Sequence, residues 1–358
     1  MTEPVTFHAD GVRDVRGEAD WPRTRERAAL GYSAAPAESE DEVLAFLALA
    51  AIRGVGHKTL FDLADAGHRF ADVLSDAPAE LLPAARRSGA KRAAPAADWA
   101  AVCSEAADQA LRMRDLLRGM GVRLVFRSDP DFPASLLELE RPPHWLFVQG
   151  AIAPLMMPSM AIVGTRKPSA DGLLLARYVG ACFADWSVPT VSGLAAGIDQ
   201  LAHECSLRAG VPTIAVLGTG ILDNYPRGSD ALRRRILDAG GTIISEYLPR
   251  ASYSAENFVQ RNRLQAALGR LLIPVEWARR SGTAHTVRFA TELQRPIACL
   301  RLTDWPTDWV MLAPGLGSET GEIFTLPSEQ DGFDRFVRMA IGDLPPPTRG
   351  QLSLFGEP

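Results

Sequence analysis

No stretch of this sequence stays apolar for the ~18 residues that a membrane-crossing helix needs, so no membrane span is expected. The opening residues, MTEPVTFHADGVRDVRGEAD, hold no apolar core of a secretory signal, and a cytoplasmic location is expected. Cysteine is scarce. Cys103, Cys182, Cys205 and Cys299 lie far apart, without the spacing of metal ligands. Each sits in an apolar or helical context and reads as a small buried hydrophobe, which suits a reducing cytosol. No metal and no cofactor is called for. An excess of positive charge is missing as well. The net charge is −5, so the chain is not a basic protein that coats DNA, and any nucleic-acid contact must be a local patch.

What is present suffices for a sizeable core. Of the 358 residues 47% are apolar, enough for about two or three domains. Residues 1–38 are polar, rich in charge and aperiodic, and read as a disordered tail. Residues 39–120 read as a helical domain. Its helices 41-DEVLAFLALAAI-52 and 57-HKTLFDLADAG-67 are joined by RGVG (53–56). That Gly-x-Gly turn fits a helix-hairpin-helix, whose bare amides hold a DNA phosphate, and equally an ordinary tight connection. A basic Pro/Ala/Arg-rich loop (83–98) and a third helix (99–119) follow. From 121 to 300, short apolar strands alternate with helical stretches. Strands are expected at 122–126, 159–164, 189–193, 212–218, 241–247, 270–277 and 295–301, with another after the Pro-Pro of 142–143. This alternation implies right-handed crossovers and an α/β fold with a mostly parallel sheet covered on both faces. Ligands then bind beyond the carboxyl ends of the strands, where Gly164, Gly193 and Gly218 sit. Residues 301–345 show one helix, at 331–341, and no clear winged helix; 346–358 read as a flexible tail.

Several strand ends carry residues suited to a phosphate chain. In 160-MAIVGTRKPSADG-172, Gly164, Thr165, Arg166 and Lys167 follow an apolar run, and two adjacent cations there can neutralise phosphate. In 192-SGLAAGIDQLAH-203, Ser192 and Gly193 end a strand, and small residues let a ligand approach the backbone. Asp199 and His203 are four apart on one helix face and read as a structural contact. A Ser/His/Asp hydrolase would need a G-x-S-x-G elbow that Ser192 lacks. Tyr225 can stack on a base or pack its own loop. Arg261, Asn262 and Arg263 supply donors for phosphates and base edges, with the two arginines splayed to different sides of a helix. Ser281, Gly282 and Thr283 read as another phosphate cradle, with His285 nearby. From Arg261 to Leu300 seven arginines face Glu276 and Glu292 alone, 7 − 2 = +5 in a chain whose total is −5.

Taken together, IVGTRKPS (162–169), SGLAAGID (192–199), TIAVLGTG (213–220), YP (225–226), SEY (245–247), RNR (261–263) and SGT (281–283) resemble the DNA-processing protein A family, DprA or Smf, over about 41–300. The resemblance implies an extended Rossmann-like fold behind an N-terminal helical domain of SAM or helix-hairpin-helix type. It implies a non-enzymatic protein that binds single-stranded DNA in recombination or natural transformation, loads the RecA recombinase and forms a homodimer. By the same resemblance Gly164, Thr165, Arg166, Lys167, Ser192, Gly193, Arg261, Asn262, Arg263, Ser281, Gly282 and Thr283 line the DNA site. The chain departs from the family at WARR (277–280), where a short acidic-alanine turn is usual. The tail sequence 351-QLSLF-355 resembles a short motif that docks on the DNA sliding clamp, through Gln351, Leu352, Leu354 and Phe355. A Rossmann-like sensor of a nucleotide-derived small molecule is the alternative reading of the same strand-end cradle. A nucleotide-cleaving enzyme needs a carboxylate, and Glu246 and Glu276 are its candidates.

Overall fold

The computed structural model describes residues 40–76, 96–305 and 321–342. The 1–38 tail and the QLSLF segment lie outside them. Four helices come first: α1 (Glu40–Ala51), α2 (His57–Asp65), α3 (Phe70–Asp76) and α4 (Ala96–Gly119). Helix α1 opens on Glu40, Asp41 and Glu42, acids at the positive end of its dipole. Glu42 is buried and turns to α3, where its carboxylate accepts the N–H groups of Phe70 at 2.7 Å and Ala71 at 3.1 Å. Orphan donors at the start of one helix are thus satisfied by a residue of another. Phe46 of α1 is fully buried, with its ring 5.1 Å from Phe70 and 4.8 Å from Trp145.

Trp145 belongs to the sheet, so these helices share their core with it. The nine strands are β1 (Val122–Phe126), β2 (Trp145–Gly150), β3 (Met160–Val163), β4 (Thr190–Ser192), β5 (Thr213–Val216), β6 (Thr242–Ser245), β7 (Leu271–Pro274), β8 (Ile297–Leu302) and β9 (Gly321–Leu326). Their order is β1-β2-β6-β5-β4-β3-β7-β8-β9. The pairs β1–β2 and β2–β6 are antiparallel and the rest parallel. The sheet is therefore α/β and mostly parallel, as the alternating pattern predicts. One apolar cluster runs from Phe46 and Leu60 through Val122 and Trp145 to Ile243. It crosses the boundary placed at residue 120.

The crossover helices are α5 (Ala170–Ala181), the short α6 (Phe183–Trp186), α7 (Ile198–Ala209), α8 (Asp230–Asp238), α9 (Ala255–Leu268) and α10 (Gly282–Glu292). Strands β4, β5 and β6 lie to one side of β3, and β7 and β8 to the other. The chain reverses direction across the sheet at β3, and the crevice of such a fold opens beyond the carboxyl ends there. The boundary placed at 300 falls inside β8. Strand β9 pairs with β8 from Ile297↔Gly321 to Leu302↔Leu326. Helix α11 (Gln330–Ile341) buries Phe333, Val337 and Ile341 in a second apolar cluster, which also holds Leu272 of β7 and Ile297 of β8. The described residues beyond 300 thus extend the sheet.

A polar seam crosses the interior between β4, β5 and α7. Thr190 Oγ1 lies 2.6 Å from Ser206 Oγ and 2.7 Å from Thr213 Oγ1, which also lies 2.7 Å from His203 Nδ1. Among the described residues no helix is long and apolar enough to cross a membrane.

Candidate functional site

The loop after β3 is pinned at two points by the residue that follows β7 and Val275. The Thr165 N–H donates to the Glu276 carbonyl at 2.7 Å, and the Ser169 N–H to the Glu276 carboxylate at 2.9 Å. Ser169 also caps α5, its hydroxyl accepting the Gly172 N–H at 3.0 Å. The far side of the loop rests on the start of α7. Gly197 has φ 86, and a Cβ there would stand 2.5 Å from the Thr165 carbonyl oxygen. No other residue fits that contact. The chain between these anchors carries Arg166 and Lys167 outward, and both are exposed.

Arg166 does not wave free. Its guanidinium carbon lies 5.2 Å from the centre of the Phe258 ring. Phe258 in turn lies 5.0 Å from Tyr225, and Tyr225 4.7 Å from Tyr253. Tyr253 is 58% exposed. A cation and three rings therefore run in series along one wall of a cavity of about 580 Å³. Gly164, Thr165 and Arg166 form another part of the lining, and Ser281, Gly282 and Thr283 a third. Arg261, Asn262 and Gln265 complete the α9 side.

The cavity gathers eight of the twelve DNA-site residues expected from sequence, but several face inward. Arg261 is 3% exposed. Its Nη1 donates to the carbonyls of Gly193 (2.8 Å) and Val216, tying the ends of β4 and β5 to α9. Burial lowers its pKa to about 10, against the pull of Asp199, so it stays charged. Asn262 donates to the Gly282 carbonyl at 2.9 Å and holds the start of α10. Ser281 caps α10, accepting the Ala284 N–H at 3.4 Å, and donates to the Ala278 carbonyl.

Three expectations need correction. Ser192 is fully buried, and its hydroxyl donates to the Ile162 carbonyl at 2.7 Å rather than facing a ligand. The Gly193 N–H donates to Asp199 at 3.1 Å, and Arg261 covers the glycine's open face: a Cβ there would stand 2.1 Å from Nη1. Arg263 is turned to the other side of α9, into a buried ion pair with Glu246. Lys167 is no such case: it is exposed, next in the chain to Arg166, though not itself part of the cavity lining.

The strand-end amides are also spoken for. Asp199 is buried and accepts the Gly193 N–H at 3.1 Å, with the Ala195 and Gly164 amides turned to favour its charge. Its carboxylate occupies the kind of amide nest that holds a phosphate in dinucleotide folds. Burial pushes its pKa up to about 6, while Arg261 and the three amides pull it down. The expected Asp199–His203 contact is replaced by separate partners. His203 bonds Thr213, and burial lowers its pKa to about 3, so it is neutral. With Ser192 bonded elsewhere, a Ser/His/Asp relay is not assembled. Glu246 and Glu276 are likewise committed, to Arg263 and to the Thr165–Ser169 loop. Among the described residues no group of three or more His, Cys, Asp or Glu could hold a metal.

Sequence reasoning missed Tyr253 and Phe258. A signal was there: Phe258, Arg261, Asn262 and Gln265 fall at i, i+3, i+4 and i+7, one face of a helix. All four line the cavity.

The family model described as DNA recombination-mediator protein A matches residues 123–308. Protein Smf of Synechocystis sp. is 38% identical over 177 residues, 48% of this chain and 44% of that protein. The putative DNA processing protein DprA of Mycobacterium tuberculosis is 34% identical over 206 residues, 54% of this chain and 53% of that protein. The chain thus spans about half the length of the curated relatives it matches. The structure of DNA processing protein A from Streptococcus pneumoniae superposes with a TM-score of 0.58 at 26% identity, covering 84% of this chain and 99% of that one. The Helicobacter pylori protein of the same name shares the fold, with a TM-score of 0.52 at 24% identity over 61% of this chain and 96% of that one.

Proposed function

This chain belongs to the DNA recombination-mediator protein A family, and on that premise we propose that it binds single-stranded DNA along the cavity beyond β3, without catalysis, in recombination or DNA uptake. The observation that carries the reading is the series Arg166–Phe258–Tyr225–Tyr253. A single strand offers unpaired bases with exposed π-faces and a regular run of phosphates, and rings beside cations suit both, whatever the sequence. The structure of the Helicobacter pylori relative is described in terms of its single-stranded DNA binding mode, which supports the same reading. Lys167 and Arg166 would meet phosphates, Tyr253 a base, and the start of α10 a further phosphate. Arg261, Asn262 and Arg263 serve as struts that hold these elements in place.

The alternative, a sensor of a small nucleotide-derived molecule, needs donors deep in the strand-end cradle. Asp199 already takes the Gly193 N–H, and its negative charge stands where an anionic ligand would have to come. One titration separates the two readings. Labelled oligo-dT is bound at several salt concentrations and then competed with mononucleotides. The DNA reading expects affinity that falls steeply with salt and no competition by mononucleotides. Tight mononucleotide binding without oligonucleotide binding would replace it with the sensor.

The family's description as recombination mediators supports a further role, loading RecA onto the bound strand as a homodimer. The test is RecA filament formation on protein-coated single strands. A third partner, the sliding clamp, is supported by QLSLF alone. Alanine at Leu354 and Phe355 is expected to abolish a clamp pull-down, and retained capture removes that partner.

A further inference from the structure

The turn that opens α10 has a second concave side. Ser281 and Gly282 line the cavity already described and also a neighbouring one of about 580 Å³. The second is walled by Arg279, Arg280, His285 and Arg288. No carboxylate lines it. Arg288 reaches Glu292 at 3.5 Å, but both side chains are more than half exposed, 57% and 60%, so this pair neutralises little. Arg288 also stacks on Phe289, 5.1 Å from the ring centre, which directs its guanidinium. Helix α10 runs for 11 residues and presents its positive end at the same place. A Cβ added to Gly282 would meet nothing within 4 Å, so the backbone between the cavities is open to a bulky anion.

We propose that this second cavity is a further phosphate subsite for the same strand, which leaves the aromatic platform, crosses the Ser281–Gly282 turn and runs on between Arg280 and Arg288. The inference rests on the single-strand reading of the first cavity. Its ligand is a phosphodiester, a singly charged group repeated along the chain. The guanidiniums of Arg280 and Arg288 suit it through charge and forked donors, with no base contact needed. The bound length of strand is then set by two cavities rather than one.

The test uses the full chain and thymidine oligonucleotides without terminal phosphates, by fluorescence anisotropy across a salt series. Arg280→Ala and Arg288→Ala are compared with wild type, with Arg280→Lys as the charge-keeping control. Each lost phosphate contact is expected to lower the salt slope by about 0.7 and the affinity at 0.1 M salt by about fivefold. Arg280→Lys is expected to keep the slope. A thymidine dinucleotide, too short to reach both cavities, is expected to bind wild type and variants alike. If wild type binds the oligonucleotide and both alanine variants keep its affinity and slope, the second subsite is wrong and the first stands. If wild type binds no oligonucleotide, both fall. If the variants lose affinity only for strands with a 5′- or 3′-phosphate, the cavity holds a strand end, and the continuous track is overturned.

Discussion

Replacing Arg261 with alanine separates a strut from a DNA contact. Arg261 is 3% exposed, and its Nη1 is held by the carbonyls of Gly193 and Val216 while Asp199 stands close by. Truncation leaves two carbonyls and a carboxylate in the interior without their cation. Leaving buried polar groups and a nearby charge without their cation in this way costs about 3–5 kcal/mol, a large part of the stability of a typical domain. At about 2–4 °C per kcal/mol for chains of this size class, the melting temperature should fall by roughly 6–20 °C. Arg166→Ala removes one exposed guanidinium from the face of Phe258, an interaction of about 0.5–1 kcal/mol, so its melting temperature should barely move. Its DNA affinity should fall instead. Release of about 0.7 counter-ions per phosphate makes the loss about fivefold at 0.1 M salt. Thermal unfolding followed by circular dichroism, together with anisotropy on labelled oligo-dT, reads both effects. Asp199→Asn added to Arg261→Ala should recover part of the lost stability, because the stranded charge is gone. An Arg261→Ala protein with wild-type melting and a flattened salt slope would show that the side chain leaves its carbonyls to hold DNA, and the strut assignment would be refuted.

Other consequences can be checked in the same two assays. Gly193→Ala places a methyl 2.1 Å from Arg261 Nη1, so it should lower the melting temperature much as loss of the arginine does. Tyr253→Ala, at an exposed ring, should leave stability alone and weaken oligo-dT binding by about 1–3 kcal/mol, the usual value of one stacked base. Acid titration should distinguish Asp199 from His203. Asp199, raised to about 6, takes up its proton in the folded chain as pH falls from 6 to 5, which favours folding. His203, lowered to about 3, is protonated over that range only when unfolded, which favours unfolding. The contributions of these two groups nearly cancel, on a background set by His57 and His144, which burial also lowers. Relative to wild type, Asp199→Asn should therefore lose about 1 kcal/mol between pH 6 and 5, and His203→Asn should gain about as much. Urea titrations at the two pH values measure both, and changes of slope from wild type with the same sign in the two variants would overturn the assignment.

The sheet was legible because its strands are short apolar runs with amphipathic stretches between them. The expected strand at 122–126 is β1 itself, and those at 159–164, 189–193 and 212–218 contain β3, β4 and β5. Strand β9, GEIFTL, carries two exposed positions in its first half and a single glutamate among them, which gives a weak period-2 pattern. Helix α3 is only seven residues long, and a buried glutamate of α1 starts it; no local signal marks such a helix. At the site, sequence identified which residues gather but not which way they point. Arg261 and Arg263 both look like DNA contacts in a string of letters. Burial turns one onto carbonyls and the other onto Glu246. Spacing within α9 separates their faces, yet only the packing of β4, β5 and β6 decides that both faces are interior. Asp199 is legible as an acid early in a helix, a common place for one. That it turns back to take the Gly193 N–H at the end of β4, beside the buried Arg261, depends on the packing of β4 against α9, which no short window of sequence contains.

That carboxylate has a wider consequence. Living cells are crowded with free ATP, NAD and their kin, all of which seek out clefts of this architecture. Here the seat is filled by a built-in surrogate anion that cannot diffuse away. If the chain binds single strands as proposed, discrimination in favour of polymer over monomer would then be a property of the scaffold, present before any loop chooses its ligand.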